Sequence, residues 1–112
     1  MCLFCKIVAR TIPSDIVLEN DHILAFKDVN PVAPSHALVI PKKHIVSMTQ
    51  ATREDAALLA EVLLAGPVVA EKLGIATTGY RLVLNNGANA GQSVFHMHMH
   101  VLGGRAMLWP PG

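Results

Sequence analysis

The chain has 112 residues, of which 52% are hydrophobic and 15% charged, with a formal net charge of +1. A chain of this length makes one domain, residues 1–112. The small net charge argues against a nucleic-acid partner, and no apolar run reaches the roughly 20 residues that would cross a membrane. The apolar excess instead favours a buried interface between two copies of the chain, so we expect a homodimer.

The cysteine content indicates the compartment. Cys2 and Cys5 are too few and too close together to staple a secreted fold, which makes the reducing cytoplasm the expected location. Lys6 and Arg10 interrupt the N-terminal segment, and this pattern does not fit a signal peptide.

Taken in chain order, apolar periodicity and turn residues predict a short helix, then strands around one principal helix. The predicted elements are a helical turn ending near Pro13, strands at 16–19, 22–29 and 36–40, a helix from about Arg53 to Leu73, and strands at 80–84 and 93–102. Hairpin-like connections between the strands predict an α+β domain built on a five-stranded antiparallel β-meander.

The principal helix has end signals and one internal interruption. Thr52 and Asp55 have the spacing of a capping box with a shorter acid, and Gly74 is a C-terminal stop. Pro67 lies in the interior, where a proline removes a hydrogen bond and costs about 3 kcal/mol. We therefore expect a kink or two abutting segments at Gly66-Pro67.

Histidines alternate with apolar residues in the last predicted strand. Because side chains alternate along a strand, His96, His98 and His100 are predicted to share one face. The opposite face is predicted to carry Phe95, Met97, Met99 and Val101. Imidazoles in such a row suit a metal site, a nucleophile with acid–base partners, or hydrogen-bonded structural histidines.

The loop before this strand, residues 85–93, contains glycines, asparagines, Gln92 and Ser93 but no acidic residue. Glycine lets backbone N–H groups approach an anion, and amide and hydroxyl side chains add neutral donors. A metal hydrolase more often places a carboxylate near its metal. The loop therefore predicts a phosphate site; an ordinary turn at Asn86-Gly87 would leave Gly91, Gln92 and Ser93 unexplained.

The segment His96–Leu102 resembles the histidine-triad (HIT) signature, His-x-His-x-His followed by apolar residues. The whole chain resembles the Hint branch of that superfamily, the purine nucleoside phosphoramidases. The likeness runs from Phe4 to Gly112 and includes residues 33–36, 38–45, 91–95 and 109–112. The resemblance implies a dimer with one continuous sheet, in which C-terminal residues reach the partner's site.

The resemblance implies a hydrolase that cleaves purine nucleoside 5′-phosphoramidates and related nucleotidyl conjugates, such as aminoacyl-AMP-like compounds, through a covalent nucleotidyl-histidine. The expected partner is a purine nucleotide such as an AMP or GMP conjugate, and no organic cofactor is expected. One alternative is a nucleotide-binding or scaffolding protein with weak or vestigial activity. Another is a zinc-dependent hydrolase, which would lose its activity on chelation.

The resemblance also implies a role for individual residues. His98 corresponds to the nucleophile and His100 to a contact with the α-phosphate, while His36 and Ser93 lie near the leaving group. Asp28, with Val29 beside it, corresponds to the ribose contact; the predicted phosphate contacts are Asn85, Gly91 and Gln92. The predicted apolar walls of the purine slot are Phe4, Ile7, Phe26 and Leu38.

The pair Cys2-x-x-Cys5 departs from the eukaryotic-type Hint pattern. A two-residue spacing suits zinc, but two more ligands are needed to complete a tetrahedral site. His44 is one candidate, and the resemblance to bacterial histidine-triad proteins implies His96 as the other, so we expect a structural zinc. A redox pair or a spare feature of the terminus are the alternatives.

Overall fold

The computed structural model describes residues 2–112. Its elements are helix α1 (Leu3–Val8), strands β1 (Ile16–Glu19), β2 (Ile23–Lys27) and β3 (Ser35–Pro41), helix α2 (Ala56–Lys72), and strands β4 (Tyr80–Leu84) and β5 (Met99–Gly103). The α+β class, the five-stranded antiparallel sheet, the principal helix and the short N-terminal helix are confirmed. Within residues 2–112 no helix has the length and apolar character to cross a membrane.

The strand order is β1-β2-β3-β5-β4, which departs from a simple meander at one point. Helix α2 carries the chain from β3 to the far edge of the sheet, and β5 then returns between β3 and β4. Strand β5 therefore has a hydrogen-bonded neighbour on both sides. Its residue His100 lies opposite Leu38 of β3 and Val83 of β4.

The histidine-bearing strand is shorter than predicted, because it begins at Met99. The ladder to β3 stops there: Met97 N–H donates to the Ile45 carbonyl, 2.6 Å away, and the Pro41 carbonyl accepts from the His96 ring. His96 and His98 therefore lie before the strand, outside the ladder, and His96 is in a bend. Met97, Met99 and Val101 are buried as predicted, but Phe95 is 54% exposed, so its placement in the apolar layer was wrong.

Helix α2 runs through Pro67 as one helix, which excludes the alternative of two abutting segments; the expected kink stays a prediction. Pro67 is exposed, on the side of α2 away from the sheet, whereas its neighbour Gly66 is buried. The capping box is confirmed: the Asp55 side chain accepts from Thr52 N–H at 3.0 Å, and Arg53–Asp55 forms a 3₁₀ turn before α2.

The sheet separates two apolar clusters, and the site lies on the side of α1. One cluster joins α2 to Ala25, Val39 and Val101, among others. The other joins Phe4 and Ile7 of α1 to alternate residues of β2 and β3, namely Leu24, Phe26, Leu38 and Ile40. Because side chains alternate along a strand, one set of side chains faces α2 and the other faces α1.

At Gly66, α2 lies close to the sheet. A β-carbon there would lie 2.9 Å from both Leu82 methyl groups and 3.2 Å from Met99 Cε. Gly66→Val is therefore expected to lower the free energy of unfolding by about 1–3 kcal/mol through overpacking. Urea denaturation measures this, with Ala60→Val on the exposed face of α2 as the matched control. Equal stability of the two variants would contradict the close approach.

Candidate functional site

The histidines of the row have different surroundings. His96 is fully buried, and its ring centroid lies 4.9 Å from that of His44. His98 is buried between Phe4 and His100, with centroid distances of 5.1 Å and 5.0 Å. The row therefore divides between a cysteine-containing cluster at its first residue and a pocket at its other two.

The main chain fixes the tautomer of His98. Its Nδ1 lies 2.8 Å from the carbonyl oxygen of His96. A carbonyl only accepts, so Nδ1 carries the proton and donates. The lone pair of neutral His98 is then on Nε2, which is the arrangement that a nucleophilic imidazole needs.

A second hydrogen-bond chain fixes His36 and His100. Val32 N–H donates to His36 Nδ1 at 3.2 Å, so the proton of neutral His36 is on Nε2. That Nε2 lies 2.9 Å from His100 Nδ1 and 3.4 Å from a carboxylate oxygen of Asp28. His100 Nδ1 thus accepts, and neutral His100 carries its proton on Nε2, as a hydrogen-bond donor.

Burial keeps these imidazoles neutral. It lowers the pKa of His100 to about 4, and the neighbouring His98 and His36 add to the effect. Burial also lowers the pKa of His36, against the opposing charge of Asp28. At neutral pH both rings are therefore uncharged donors and acceptors, held by hydrogen bonds rather than by ion pairing.

A pocket of about 550 Å³ opens over His98 and His100, a volume within the usual range for small-molecule sites. Its lining combines the apolar wall of α1 and the sheet with polar groups from the loops. The predicted site residues that line it are Phe4, Ile7, Phe26, Asp28, Val29, His36, Leu38, Asn85, Ser93, His98 and His100. The structure thus brings most of the predicted nucleotide contacts to one cavity.

Gly91 and Gln92 do not line this pocket. Gly91 N–H donates to the Ala88 carbonyl at 3.0 Å, and Gln92 N–H donates to the Gly87 carbonyl at 3.1 Å. Both N–H groups are therefore engaged within the loop rather than directed at a ligand. The buried Gln92 side chain also accepts from Gly87 N–H at 2.8 Å and donates to the Val46 carbonyl at 2.7 Å. Gln92 thus fixes the shape of the loop.

The predicted metal ligands Cys2, Cys5, His44 and His96 form one cluster, with their ligand atoms within 4.8 Å of one another. Cys2 Sγ lies 3.3 Å from His96 Nδ1, Cys5 Sγ lies 3.3 Å from His44 Nδ1, and the two Nδ1 atoms are 3.2 Å apart. Tetrahedral zinc, with bonds of about 2.0 Å to nitrogen and about 2.3 Å to sulfur, separates its ligands by about 3.3–3.7 Å. The spacing therefore fits this ion.

The protonation of His96 supports the same fit. His96 Nε2 lies 2.7 Å from the Pro41 carbonyl oxygen, so Nε2 carries the proton and Nδ1 presents its lone pair to the two thiols. Burial lowers the pKa of His96, which keeps the ring neutral as a ligand must be. A backbone carbonyl on the outer nitrogen is the usual support of a metal-bound histidine.

Within residues 2–112, the three histidines of the row do not form one metal site. Only His96 joins the thiols, whereas His100 groups with Asp28 and His36. The 2.9 Å separation of His36 Nε2 and His100 Nδ1 is that of a hydrogen bond.

These features can be compared with known proteins. The family model for the HIT domain matches residues 9–107 of the chain. The chain belongs to the HIT domain family. A HIT-like protein of Synechocystis sp. is 56% identical over 110 residues, which are 98% of this chain and 96% of that protein.

Solved HIT structures agree with this fold over nearly the whole chain. The crystal structure of a HIT family hydrolase from Legionella pneumophila has 48% identity and a TM-score of 0.96, with all of both chains covered. A histidine triad nucleotide-binding protein from Candida albicans has 31% identity and a TM-score of 0.82, over 90% of this chain and 73% of that one. The sequence resemblance is thus confirmed at the level of the HIT family.

The sequence did not predict which main-chain groups fix the histidines of this HIT site. The Val32 N–H and the Pro41 carbonyl each fix a histidine tautomer, and neither is marked by a side chain. Ile12 and Val94, which also line the pocket, were not predicted. The apolar character of Ile12 and Val94 was the available signal, but it does not distinguish a ligand wall from the core.

The lowered pKa of His100 predicts a pH dependence of stability. Between its folded value of about 4 and its ordinary value of 6.5, the unfolded chain binds the proton and the folded chain does not. The free energy of unfolding therefore falls as the pH drops through this window. His100→Gln should make this fall less steep. The change in slope should be smaller than about 1.4 kcal/mol per pH unit, which is the slope for one full proton.

Urea denaturation of both proteins from pH 7 to pH 4, at constant zinc, measures the two slopes. The difference between the slopes isolates His100 from the other titrating groups. Identical slopes would show that His100 is protonated equally in the folded and unfolded chain.

Proposed function

We propose that the protein is a HIT hydrolase that cleaves purine nucleoside 5′-phosphoramidates and related nucleotidyl conjugates. The observation that carries the proposal is the tautomer of His98, whose Nδ1–H donates to the His96 carbonyl and leaves Nε2 free over the pocket. The name of the Legionella relative, a HIT family hydrolase, supports this class of activity.

The lining suits a purine nucleoside monophosphate. Phe4, Phe26 and Leu38 are buried apolar walls on one side and accommodate a flat base. Asp28 also lines the pocket, and its two acceptor oxygens suit a ribose diol. Asn85, Ser93 and the Nε2–H of His100 supply neutral donors for the α-phosphate.

The reaction proceeds in two displacements at phosphorus. His98 Nε2 attacks the α-phosphorus, the new N–P bond forms, and the P–N bond to the amine breaks. The leaving amine takes up one proton from solvent, and the water of the second displacement returns one proton to solvent. Water then attacks the same phosphorus, the bond to His98 breaks, and the nucleoside monophosphate is released. The His96 carbonyl stabilises the positive charge that the His98 ring acquires in the intermediate.

His98→Ala is expected to lower the turnover of an adenosine 5′-phosphoramidate by at least about 10³-fold, because the nucleophile is lost. AMP binding should persist, since the pocket walls remain. A continuous assay of amine release and calorimetry with AMP measure the two quantities. His22→Ala, which changes an exposed histidine outside the pocket lining, is the matched control. Retained turnover in His98→Ala would exclude the covalent mechanism.

A nucleotide-binding protein with weak turnover is the second candidate, because the Candida albicans relative is named a nucleotide-binding protein. The two candidates differ in rate and not in ligand. Tight AMP binding together with slow cleavage of every nucleotidyl conjugate would favour the binding protein.

We propose that the cluster of Cys2, Cys5, His44 and His96 binds zinc, because its donor atoms and their spacing suit this ion. The ion would join α1 to the chain around Pro41 and supply structural stability, and no bond-making step uses it. Thiol ligands require a reducing compartment, which the sequence predicts to be the cytoplasm.

Elemental analysis should find about one zinc per chain, as expected for a closed four-ligand site. His44→Ala removes one ligand and should weaken zinc binding by at least about tenfold, whereas His22→Ala should not. Competition with a chromophoric chelator gives both affinities. Less than about a tenth of an equivalent in the unmutated protein, purified without chelator, would contradict the site.

We propose that two copies pair through α2 and β4. Leu63, Leu64 and Val68 of α2 are 53%, 68% and 45% exposed, and β4 is an edge strand with its outer main-chain groups open to pairing. Arg81 of β4 donates to the Leu108 carbonyl at 2.9 Å, which holds the C-terminal segment beside this edge. That position suits a segment that reaches the partner's pocket.

Leu64→Glu is expected to weaken dimerisation by at least about tenfold, because a charge would be buried in the interface. Sedimentation velocity over a concentration series measures the change. Lys72→Glu, near the end of α2 and outside the apolar patch, introduces the same side chain as a control. A protein that is monomeric at micromolar concentration without mutation would refute the pairing.

A further inference from the structure

Phe4 lies between two of the metal ligands and also touches the candidate nucleophile. It follows Cys2 by two residues and precedes Cys5, in the first turn of α1. Its ring is 4% exposed, with its centroid 5.1 Å from His98 and 5.5 Å from Phe26, in edge-to-face geometry. Phe4 therefore belongs both to the segment that carries the thiols and to the wall of the pocket.

Helix α1 is attached to the sheet by side chains. Among the described residues, the main-chain hydrogen bonds of Lys6 and Ala9 run to Cys2 and Cys5, inside the segment itself. The ties to the rest of the chain include the thiols facing His44 and His96, the packing of Phe4 and Ile7, and the Arg10–Glu19 ion pair. A six-residue helix on its own is far too short to be stable in water.

The cluster also reaches His98 by a second route. His96 directs Nδ1 at the thiols, and its carbonyl holds His98 Nδ1–H at 2.8 Å. The same four ligands thus restrain Phe4 on one side of the nucleophile and the main chain of His96 on the other.

We propose that the cluster of Cys2, Cys5, His44 and His96 is a clamp that couples metal binding to nucleotide binding. With the metal bound, α1 holds Phe4 and Ile7 against His98 and the purine slot is formed. Without it, α1 detaches and the slot loses one wall, while the sheet and α2 remain folded. The inference rests on the proposed nucleotide site and adds its dependence on the metal.

Coupling of this kind is reciprocal. If zinc raises the affinity for AMP by some factor, AMP must raise the affinity for zinc by the same factor. The clamp therefore predicts that the effect of zinc on AMP affinity equals the effect of AMP on zinc affinity. The two ratios are measured by independent methods, and neither method depends on catalytic activity.

The experiment uses the full chain with zinc and AMP as probes. Calorimetry gives AMP affinity for the zinc-loaded and the zinc-free protein, and chelator competition gives zinc affinity with and without saturating AMP. We expect both ratios to be equal and at least about fivefold. In Phe4→Ala, both ratios should fall towards one, whatever the change in zinc affinity without AMP. Lys6→Ala, exposed on the same helix, should keep the full ratios.

Amide hydrogen exchange of the zinc-free protein separates a clamp from a general stabiliser. Protection should be lost in residues 3–8 and kept in the sheet and α2. Loss of protection throughout the sheet would overturn the clamp, because the metal would then hold the whole fold. Equal AMP affinity with and without zinc would overturn it and leave the proposed function intact. Failure of the zinc-loaded protein to bind AMP would instead refute the proposed nucleotide site.

Discussion

His96 is the residue on which the site depends, because its ring and its main chain hold different parts of the molecule. The ring donates from Nε2 to the Pro41 carbonyl at 2.7 Å and presents Nδ1 to the thiols of Cys2 and Cys5. Its carbonyl accepts from His98 Nδ1 and so decides which nitrogen of His98 is free. A shift of this fully buried residue would disturb the metal cluster and the nucleophile together.

The sheet supplies the frame for this arrangement. One face packs against α2 through an apolar cluster, and the other carries α1, the pocket and the catalytic candidates. Strand β5 is central, so His100 is held between Leu38 and Val83. The loops add the remaining restraints, through Val32 N–H on His36 and the Gln92 side chain between Gly87 and Val46. Hydrogen bonds from main-chain and amide groups therefore hold the histidines and the loop of the site in place.

Much of this could be predicted from sequence, where side-chain type carries the information. Strands Ile16–Glu19 and Tyr80–Leu84 have the predicted bounds, and the Cys-x-x-Cys pair meets the predicted histidines. The predicted strand was too long at 93–98, because the alternation of residue types does not show where the hydrogen-bonded ladder stops. The strand order and the tautomers were not accessible, since they depend on α2 crossing the sheet and on backbone groups such as Pro41 O.

The central claim is that Nδ1 of His98 carries a proton and donates to the His96 carbonyl, which leaves Nε2 as the nitrogen with the lone pair. Nitrogen-15 NMR of histidine-labelled protein at pH 7, with His98 assigned by substitution, reads the tautomer directly. The account predicts a protonated Nδ1 with the chemical shift of a hydrogen-bonded donor, and an unprotonated Nε2. A proton on Nε2 of His98 would contradict it, because the ring would then have no lone pair directed at the phosphorus.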